Sequence, residues 1–203
     1  LTPEEIASMR ANYAGNITLI DDQIGEILDV VAERGELENT IIAFTSDHGE
    51  LNGDFGLIYK SVFLNGCVRV PLLLRTPGTL TATAGSVCEA PVEWADVGPT
   101  LAELAGASLD YEQFAISLGP ALVNPDSRPR EDAISEIAGE LMLLTSEWKI
   151  TLNAQGQPYL LFDVTNDAQD QRNLVEEHAY AAVREKLVAR ALERLMQSQT
   201  RIT

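Results

Sequence analysis

The chain has 203 residues, of which 45% are apolar, so it is long enough to bury a core as one domain or as a domain with a small appendage. Its formal net charge is −17, and it has no cluster of lysine and arginine, which argues against nucleic acid or an anionic membrane surface as a partner. Its longest apolar runs are far shorter than the roughly 20 residues of a membrane-spanning helix, so no membrane span is predicted.

A long amphipathic helix is predicted at the start of the chain. Residues 2–5, Thr-Pro-Glu-Glu, form a capping-box pattern with proline at the first helical position. Apolar residues then recur in steps of three or four from Ile6 to Val31 and form one stripe. Gly35 suits the left-handed residue that ends such a helix. The chain opens on this helix signal, without a basic and apolar leader, and its compartment stays open.

Two apolar strands and a second helix follow. The runs 39–44 and 68–75 have little polar alternation, which is typical of strands buried on both faces of a mainly parallel sheet. A helix is predicted from about Val92 to Leu104, with Trp94 on its buried face. Strands that alternate with helices indicate an α/β layer architecture.

The pattern changes at about residue 133. Segments 141–145, 148–152 and 159–164 are strand-like and are joined by short polar turns, which predicts a small antiparallel sheet. A terminal helix is predicted over about 177–197, where apolar residues fall on one helical face. We therefore expect an α/β part over residues 1–132 and a smaller subdomain over 133–203.

The candidate site is Asp47-His48-Gly49, directly after the first strand. In open α/β sheets, ligands bind beyond the carboxyl ends of the strands. A carboxylate and an imidazole offer one oxygen and one nitrogen ligand to a cation, and the glycine lets the backbone turn. A turn closed by an Asx hydrogen bond explains the same three residues, so both readings stay open on this evidence.

The surrounding sequence resembles the sulfatase branch of the alkaline-phosphatase superfamily. Residues 39–50, NTIIAFTSDHGE, are similar to its "NTxxxFTSDHGE" signature, and residues 51–60 to its "LGDHGL…K" segment. Further similar blocks follow in the family's order at 68–72, 94–101 and 161–174. The resemblance implies the C-terminal half of a three-layer αβα alkaline-phosphatase-like core, with a subdomain of a small antiparallel sheet plus a helix.

The resemblance also implies roles for three residues. Asp47 and His48 would bind a divalent cation, with Ca²⁺ as the first candidate and Mn²⁺ or Mg²⁺ as alternatives, and no other cofactor is implied. Lys60 would be the catalytic lysine that contacts the transferred group, because an ammonium can neutralise one of its oxygens while the metal polarises the centre.

The sequence departs from the family pattern around this site. Phe55 replaces a second histidine and Asn65 an acidic residue, so we expect different substrate contacts from this loop. Glu50 and Asp54 are interpreted as solvated residues or as carboxylates that orient the ligands. The remaining histidine, His178, is interpreted as a surface or capping residue.

The family's nucleophile motif is missing from the chain. Family members carry Cys or Ser in C/S-x-P-x-R, oxidised to formylglycine, well before the Asp-His-Gly signature. Residues 127–131, Ser-Arg-Pro-Arg-Glu, have the proline but end in glutamate and follow the signature. We therefore expect a part of a sulfatase that supplies metal ligands and an anion-binding lysine and is inactive alone. The alternatives are part of a phosphonate monoester or phosphodiester hydrolase, and a non-catalytic binding or structural module.

The resemblance also implies what the chain would bind. The substrate would be an anionic small-molecule or saccharide sulfate ester, and the missing N-terminal half of the enzyme would complete the core. Half a core exposes a sheet edge and an apolar helix stripe, so the isolated chain is expected to self-associate. Cys67 and Cys88 match no zinc or redox spacing and are interpreted as thiols rather than a disulfide.

Overall fold

The computed structural model describes residues 1–78, 84–111 and 113–198. The chain divides into two compact units, one of Leu1–Val62 with Gly66–Thr81 and the other of Phe63–Asn65 with Ala82–Thr203. The boundary predicted between residues 132 and 133 rests on a change of sequence pattern, and it stays a prediction.

The first unit opens with the long helix that the capping box predicts. Helix α1 spans Pro3–Glu33. The Thr2 hydroxyl accepts from the Glu5 amide at 3.2 Å, and the Glu5 carboxylate accepts from the Thr2 amide at 2.8 Å. Gly35 follows the helix in a left-handed conformation with φ 70°. None of the 31 residues of α1 is buried, so its apolar stripe is open to solvent.

The two predicted strands pair in one ribbon. Strand β1, Ile42–Thr45, runs antiparallel to strand β2, Leu72–Arg75, with Thr45 opposite Leu72. The expectation of a parallel sheet is wrong for this pair, because apolar composition reports burial and not strand direction. Burial on both faces is also wrong for β1 and β2, since Phe44 is 41% and Leu73 59% exposed.

The connection from β1 to β2 leaves and returns at the same end of the ribbon. It contains a 3₁₀ turn at Asp54–Gly56 and the short helix α2, Asn65–Val68. Leu51 and Cys67 are buried within it, at 1% and 4% exposure. This connection holds all three candidate site residues.

A four-stranded antiparallel sheet forms the core of the second unit. Its strands are consecutive hairpin neighbours: β3 Asp132–Ile137, β4 Glu140–Thr145, β5 Trp148–Leu152 and β6 Pro158–Asp163. The last three confirm the predicted sheet, whereas β3 was not identified because three of its six residues are polar. After a 3₁₀ turn at His178–Tyr180, helix α5, Ala181–Ser198, covers one face. Leu143, Ile150, Leu161, Leu187 and Ala191 form the centre of this core.

Two short helices precede the sheet. Helix α3, Val97–Leu104, follows a 3₁₀ turn at Trp94–Asp96, and α4 spans Gly119–Val123. The predicted burial of Trp94 is wrong, since its side chain is 61% exposed. The buried residues of this segment are instead Asp96 and Thr100, which a polarity pattern assigns to the outside.

Asp96 is buried because a cluster of ion pairs neutralises it. Its carboxylate accepts from the guanidinium of Arg130, and Arg130 lies 3.2 Å from Glu93. Arg194 of α5 pairs with the same Glu93 at 2.7 Å and with Asp132. Buried charges require such pairing. Arg130 of the sequence Ser-Arg-Pro-Arg-Glu is therefore part of this structural cluster.

A second buried ion pair joins Lys149 of strand β5 to Asp170. The ammonium of Lys149 is 2.6 Å from the Asp170 carboxylate and 2.8 Å from the Asn65 side-chain oxygen. The Asn65 amide donates to the same Asp170 oxygen at 2.6 Å. In this unit Asn65 is thus a structural residue, whose side chain is engaged by Lys149 and by the Ala168 carbonyl.

Within the described ranges, no helix combines the length and apolarity needed to cross a bilayer.

Candidate metal and anion site

The turn after β1 is closed by local hydrogen bonds. The Ser46 hydroxyl donates to the His48 carbonyl at 2.8 Å, and the His48 amide donates to Asp47 Oδ1 at 2.9 Å. The second of these bonds joins adjacent residues, whereas an Asx turn would join the carboxylate to the amide two residues on. The bond engages Oδ1 and not Oδ2 of Asp47.

The imidazole of His48 is held by its own backbone neighbour. Its Nδ1 lies 2.8 Å from the Gly49 carbonyl oxygen, which can only accept. This contact assigns the proton of a neutral ring to Nδ1 and leaves a lone pair on Nε2. Nε2 lies 3.5 Å from Asp47 Oδ2. This contact is an ion pair when the ring is protonated, and in the neutral ring it brings one nitrogen and one oxygen lone pair together at the end of β1.

Gly49 is required by a close approach of the backbone. A Cβ at this position would lie 2.0 Å from the Gly66 carbonyl oxygen, far inside van der Waals contact. The Gly49 amide also donates to the Cys67 carbonyl at 2.8 Å. The glycine of the Asp-His-Gly pattern thus joins the turn to helix α2, and the turn is fixed by packing.

Electrostatics keep Asp47 ionised. The pKa of its carboxyl is lowered mainly by the hydrogen bond from the His48 amide, with smaller contributions from the charges of His48 and Lys60. Asp47 is well exposed, so no stability follows from this shift. All three predicted site residues lie in the connection between β1 and β2, and Lys60 contributes only the last of the causes that lower the pKa of Asp47.

The described residues offer part of a metal site. Within these ranges no group of three or more histidine, cysteine or acidic residues is arranged to hold an ion. Asp47 and His48 supply two donors, whereas protein-bound divalent cations take four to eight ligands. The donor types fit a divalent cation, and the remaining ligands would come from outside this turn.

Glu50 and Asp54 have specific partners. Glu50 Oε1 accepts from the amides of Asn52 and Tyr59, and Asp54 forms an ion pair with Arg10 of α1 at 2.6 Å. Glu50 therefore binds the backbone directly before Lys60, whereas Asp54 binds a side chain of α1. The contact of Glu50 could not be predicted from the sequence, because only the folded loop brings Tyr59 back to Glu50.

The sequence also singled out Phe55, His178 and the two cysteines. Phe55 is 47% exposed and takes a left-handed conformation with φ 56° in the same loop. His178 is exposed at the 3₁₀ turn before α5. Cys67 and Cys88 are free thiols, and burial raises the pKa of the Cys67 thiol.

Known proteins resemble this chain over most of its length. A choline-sulfatase of Rhizobium meliloti strain 1021 is 35% identical over 185 residues, which cover 87% of this chain and 35% of that protein. The solved phosphonate monoester hydrolase of Agrobacterium radiobacter superposes with a TM-score of 0.85 at 28% identity, over 98% of this chain and 43% of that one. A structure in complex with D-glucosamine-2-N,6-O-disulfate gives 0.78 at 27% identity, over 90% and 39%. The chain thus spans less than half the length of these relatives.

These likenesses confirm the predicted fold class, an α/β chain of the alkaline-phosphatase-like kind with a small antiparallel sheet and terminal helix. The sulfatase family model matches residues 2–107, just over half of the chain, and includes Asp47, His48 and Lys60. The chain belongs to the sulfatase family.

Proposed function

We propose that the full-length protein is a metal-dependent hydrolase of sulfate esters. In this proposal the chain supplies two metal ligands, Asp47 and His48, and an anion-binding lysine, Lys60. The observation that carries it is the approach of two donor atoms, Asp47 Oδ2 and His48 Nε2, to 3.5 Å of each other, while hydrogen bonds hold the rest of the turn. The nucleophile would lie outside this chain.

Each residue would have a separate task. A bound divalent cation would polarise the sulfur centre. Asp47, kept ionised, and His48, with Nδ1 held by a carbonyl, would present their donor atoms without rearrangement. Lys60 would neutralise an oxygen of the transferred group. A local cation matters here because the net charge of −17 repels an anionic substrate at long range.

The metal remains to be identified. Ca²⁺ is the first candidate on the family resemblance, with Mn²⁺ and Mg²⁺ as alternatives. Carboxylate ligands suit all three ions, so the two donors of this turn do not choose between them. Elemental analysis of the purified full-length protein would identify the ion.

A phosphonate monoester or phosphodiester is the second candidate substrate. The likeness to the Agrobacterium radiobacter hydrolase, at 98% coverage of this chain, supports it. The choline-sulfatase and the complex with a disulfated glucosamine support a sulfate ester, including a saccharide sulfate. Catalytic efficiencies on 4-nitrophenyl sulfate and 4-nitrophenyl phenylphosphonate, measured on one preparation, would separate these candidates.

We expect the full-length protein to release 4-nitrophenol from one of these esters, and we expect EDTA to abolish turnover until a divalent metal is restored. The 203-residue chain alone should show no turnover, because it lacks the nucleophile motif. Metal-dependent turnover by the chain alone would contradict the proposal that the nucleophile lies outside it. A full-length protein that binds the esters without hydrolysing them would instead support a non-catalytic module of the same fold.

We also propose that the N-terminal half of the parent enzyme covers the apolar stripe of α1. Tyr13, Ile17, Ile20 and Ile27 are each at least 40% exposed, and the relatives are more than twice as long as this chain. The isolated chain should therefore self-associate. Light scattering should detect dimers or larger species that the double substitution Ile17→Glu, Ile20→Glu shifts towards monomer.

The matched control is Asp21→Lys, Asp22→Lys, which changes the charge of α1 without removing apolar surface. A compact monomer of the unmodified chain at high concentration would contradict the prediction.

A further inference from the structure

Glu50 binds both ends of the loop that precedes Lys60. Its Oε1 accepts from the Asn52 amide at 3.2 Å and from the Tyr59 amide at 2.5 Å. Backbone amides that donate to an ionised carboxylate form shorter and stronger hydrogen bonds than neutral pairs do. One side chain thus closes the loop immediately before Lys60.

The carbonyl group of Tyr59 is fixed as well. It accepts from the Leu51 amide at 3.1 Å and from the Cys67 thiol at 3.7 Å, and both of these residues are buried. The ring of Tyr59, in contrast, is 68% exposed. Tyr59 is therefore held by its backbone, and its backbone continues directly into Lys60.

The backbone on either side of Lys60 adopts an unfavourable conformation. Tyr59 has φ 67° and Ser61 has φ 80°, in the left-handed region that residues other than glycine rarely adopt. Such conformations cost energy and persist only where surrounding contacts enforce them. On the Tyr59 side, those contacts are the ones made by Glu50, Leu51 and Cys67.

We propose that Glu50 is a positioning residue for Lys60. Its carboxylate holds Tyr59 in the left-handed conformation and so fixes the backbone from which the Lys60 side chain extends. His48 needs no orienting carboxylate from Glu50, because the Gly49 carbonyl already accepts from its Nδ1. This inference rests on the proposed role of Lys60 in binding the transferred group.

A double-mutant cycle in the full-length protein tests the proposal. Glu50→Ala should lower kcat/KM by about 10- to 100-fold when Lys60 is present, because small misplacements of a binding group have effects of that size. In the Lys60→Ala background the same substitution should change kcat/KM by less than about threefold. If Glu50 acts only through Lys60, its removal has no further effect once Lys60 is absent, and the two effects are not additive. Glu50→Gln, which keeps an acceptor in place, should recover most of the loss.

Asp54→Asn is the matched control, because it removes a carboxylate of the same loop that binds Arg10 and not Tyr59; it should change kcat/KM by less than about threefold. Metal content should be unchanged in every variant. Equal losses from Glu50→Ala in both backgrounds, or loss of the metal, would overturn the proposal.

A second readout does not depend on activity. Hydrogen exchange at the Tyr59 amide should accelerate in Glu50→Ala and remain slow in Asp54→Asn. If Lys60→Ala leaves kcat/KM unchanged, the proposed function of Lys60 fails, and this exchange measurement still decides whether Glu50 anchors the loop. An unchanged exchange rate in Glu50→Ala, or in Glu50→Leu if the alanine variant does not fold, would show that Glu50 does not hold the Tyr59 amide.

Discussion

Replacing His48 with alanine should lower kcat/KM of the full-length protein by at least about 10³-fold, together with loss of its divalent metal. The substitution removes the nitrogen donor of this turn and leaves Asp47 as its single proposed ligand. A metal that polarises the reacting centre contributes several kcal/mol to transition-state stabilisation, and about 1.4 kcal/mol corresponds to a factor of ten. Initial rates on the better of the two esters, with elemental analysis of the same samples, measure both effects.

His178→Ala is the matched control, because His178 is the other of the two histidines in the chain and lies exposed beside α5. It should leave both activity and metal content unchanged. If the His48 variant kept its metal and its activity, Asp47-His48-Gly49 would be a structural turn, and the proposed function would lose its main support.

Replacing Lys149 with alanine should lower the free energy of unfolding by about 3–5 kcal/mol, the range for breaking a buried ion pair by removing one partner. Lys149 and the side chain of Asp170 are fully buried, and Asp170 Oδ1 has no hydrogen-bond partner among the described residues. Without the ammonium, the carboxylate would keep only the Asn65 amide as its donor. Burial lowers the pKa of Lys149, and the Asp170 carboxylate opposes that shift.

Urea unfolding followed by tryptophan fluorescence measures this effect, since Trp94 and Trp148 both lie in the second unit. Arg172→Ala, which breaks the exposed pair with Glu177, should cost less than about 1 kcal/mol. The double substitution Lys149→Met, Asp170→Leu should recover much of the loss, because it leaves no unpaired charge. A loss below about 1 kcal/mol for Lys149→Ala would contradict the structural role of the pair.

Much of the local structure could be predicted from neighbouring residues. The capping box at residues 2–5 marked the start of α1, and the apolar segments at 141–145 and 148–152 indicated hairpin strands. Asp47 and His48 were found because both ligands are adjacent in sequence and follow a strand. Their role as ligands, like that of Lys60, stays a prediction that the His48 and Lys60 variants test.

Other features could not be predicted because their partners are distant in sequence. Trp94 is exposed and Asp96 is buried because Arg130 reaches Asp96 from 34 residues away. Arg194 joins the same cluster from 101 residues beyond Glu93. A periodic pattern assigns apolar residues to the inside and cannot anticipate a charge that is neutralised by a remote one.

The sequence by itself determined the family, the long first helix, the small antiparallel sheet and the candidate ligands, since these depend on short-range patterns and on motifs. Only the tertiary structure decided the direction of β1 against β2, the burial of Lys149 and the contact of Glu50 with Tyr59. The physical reason is that a backbone amide or a buried charge selects its partner by proximity in three dimensions, which the folded chain creates.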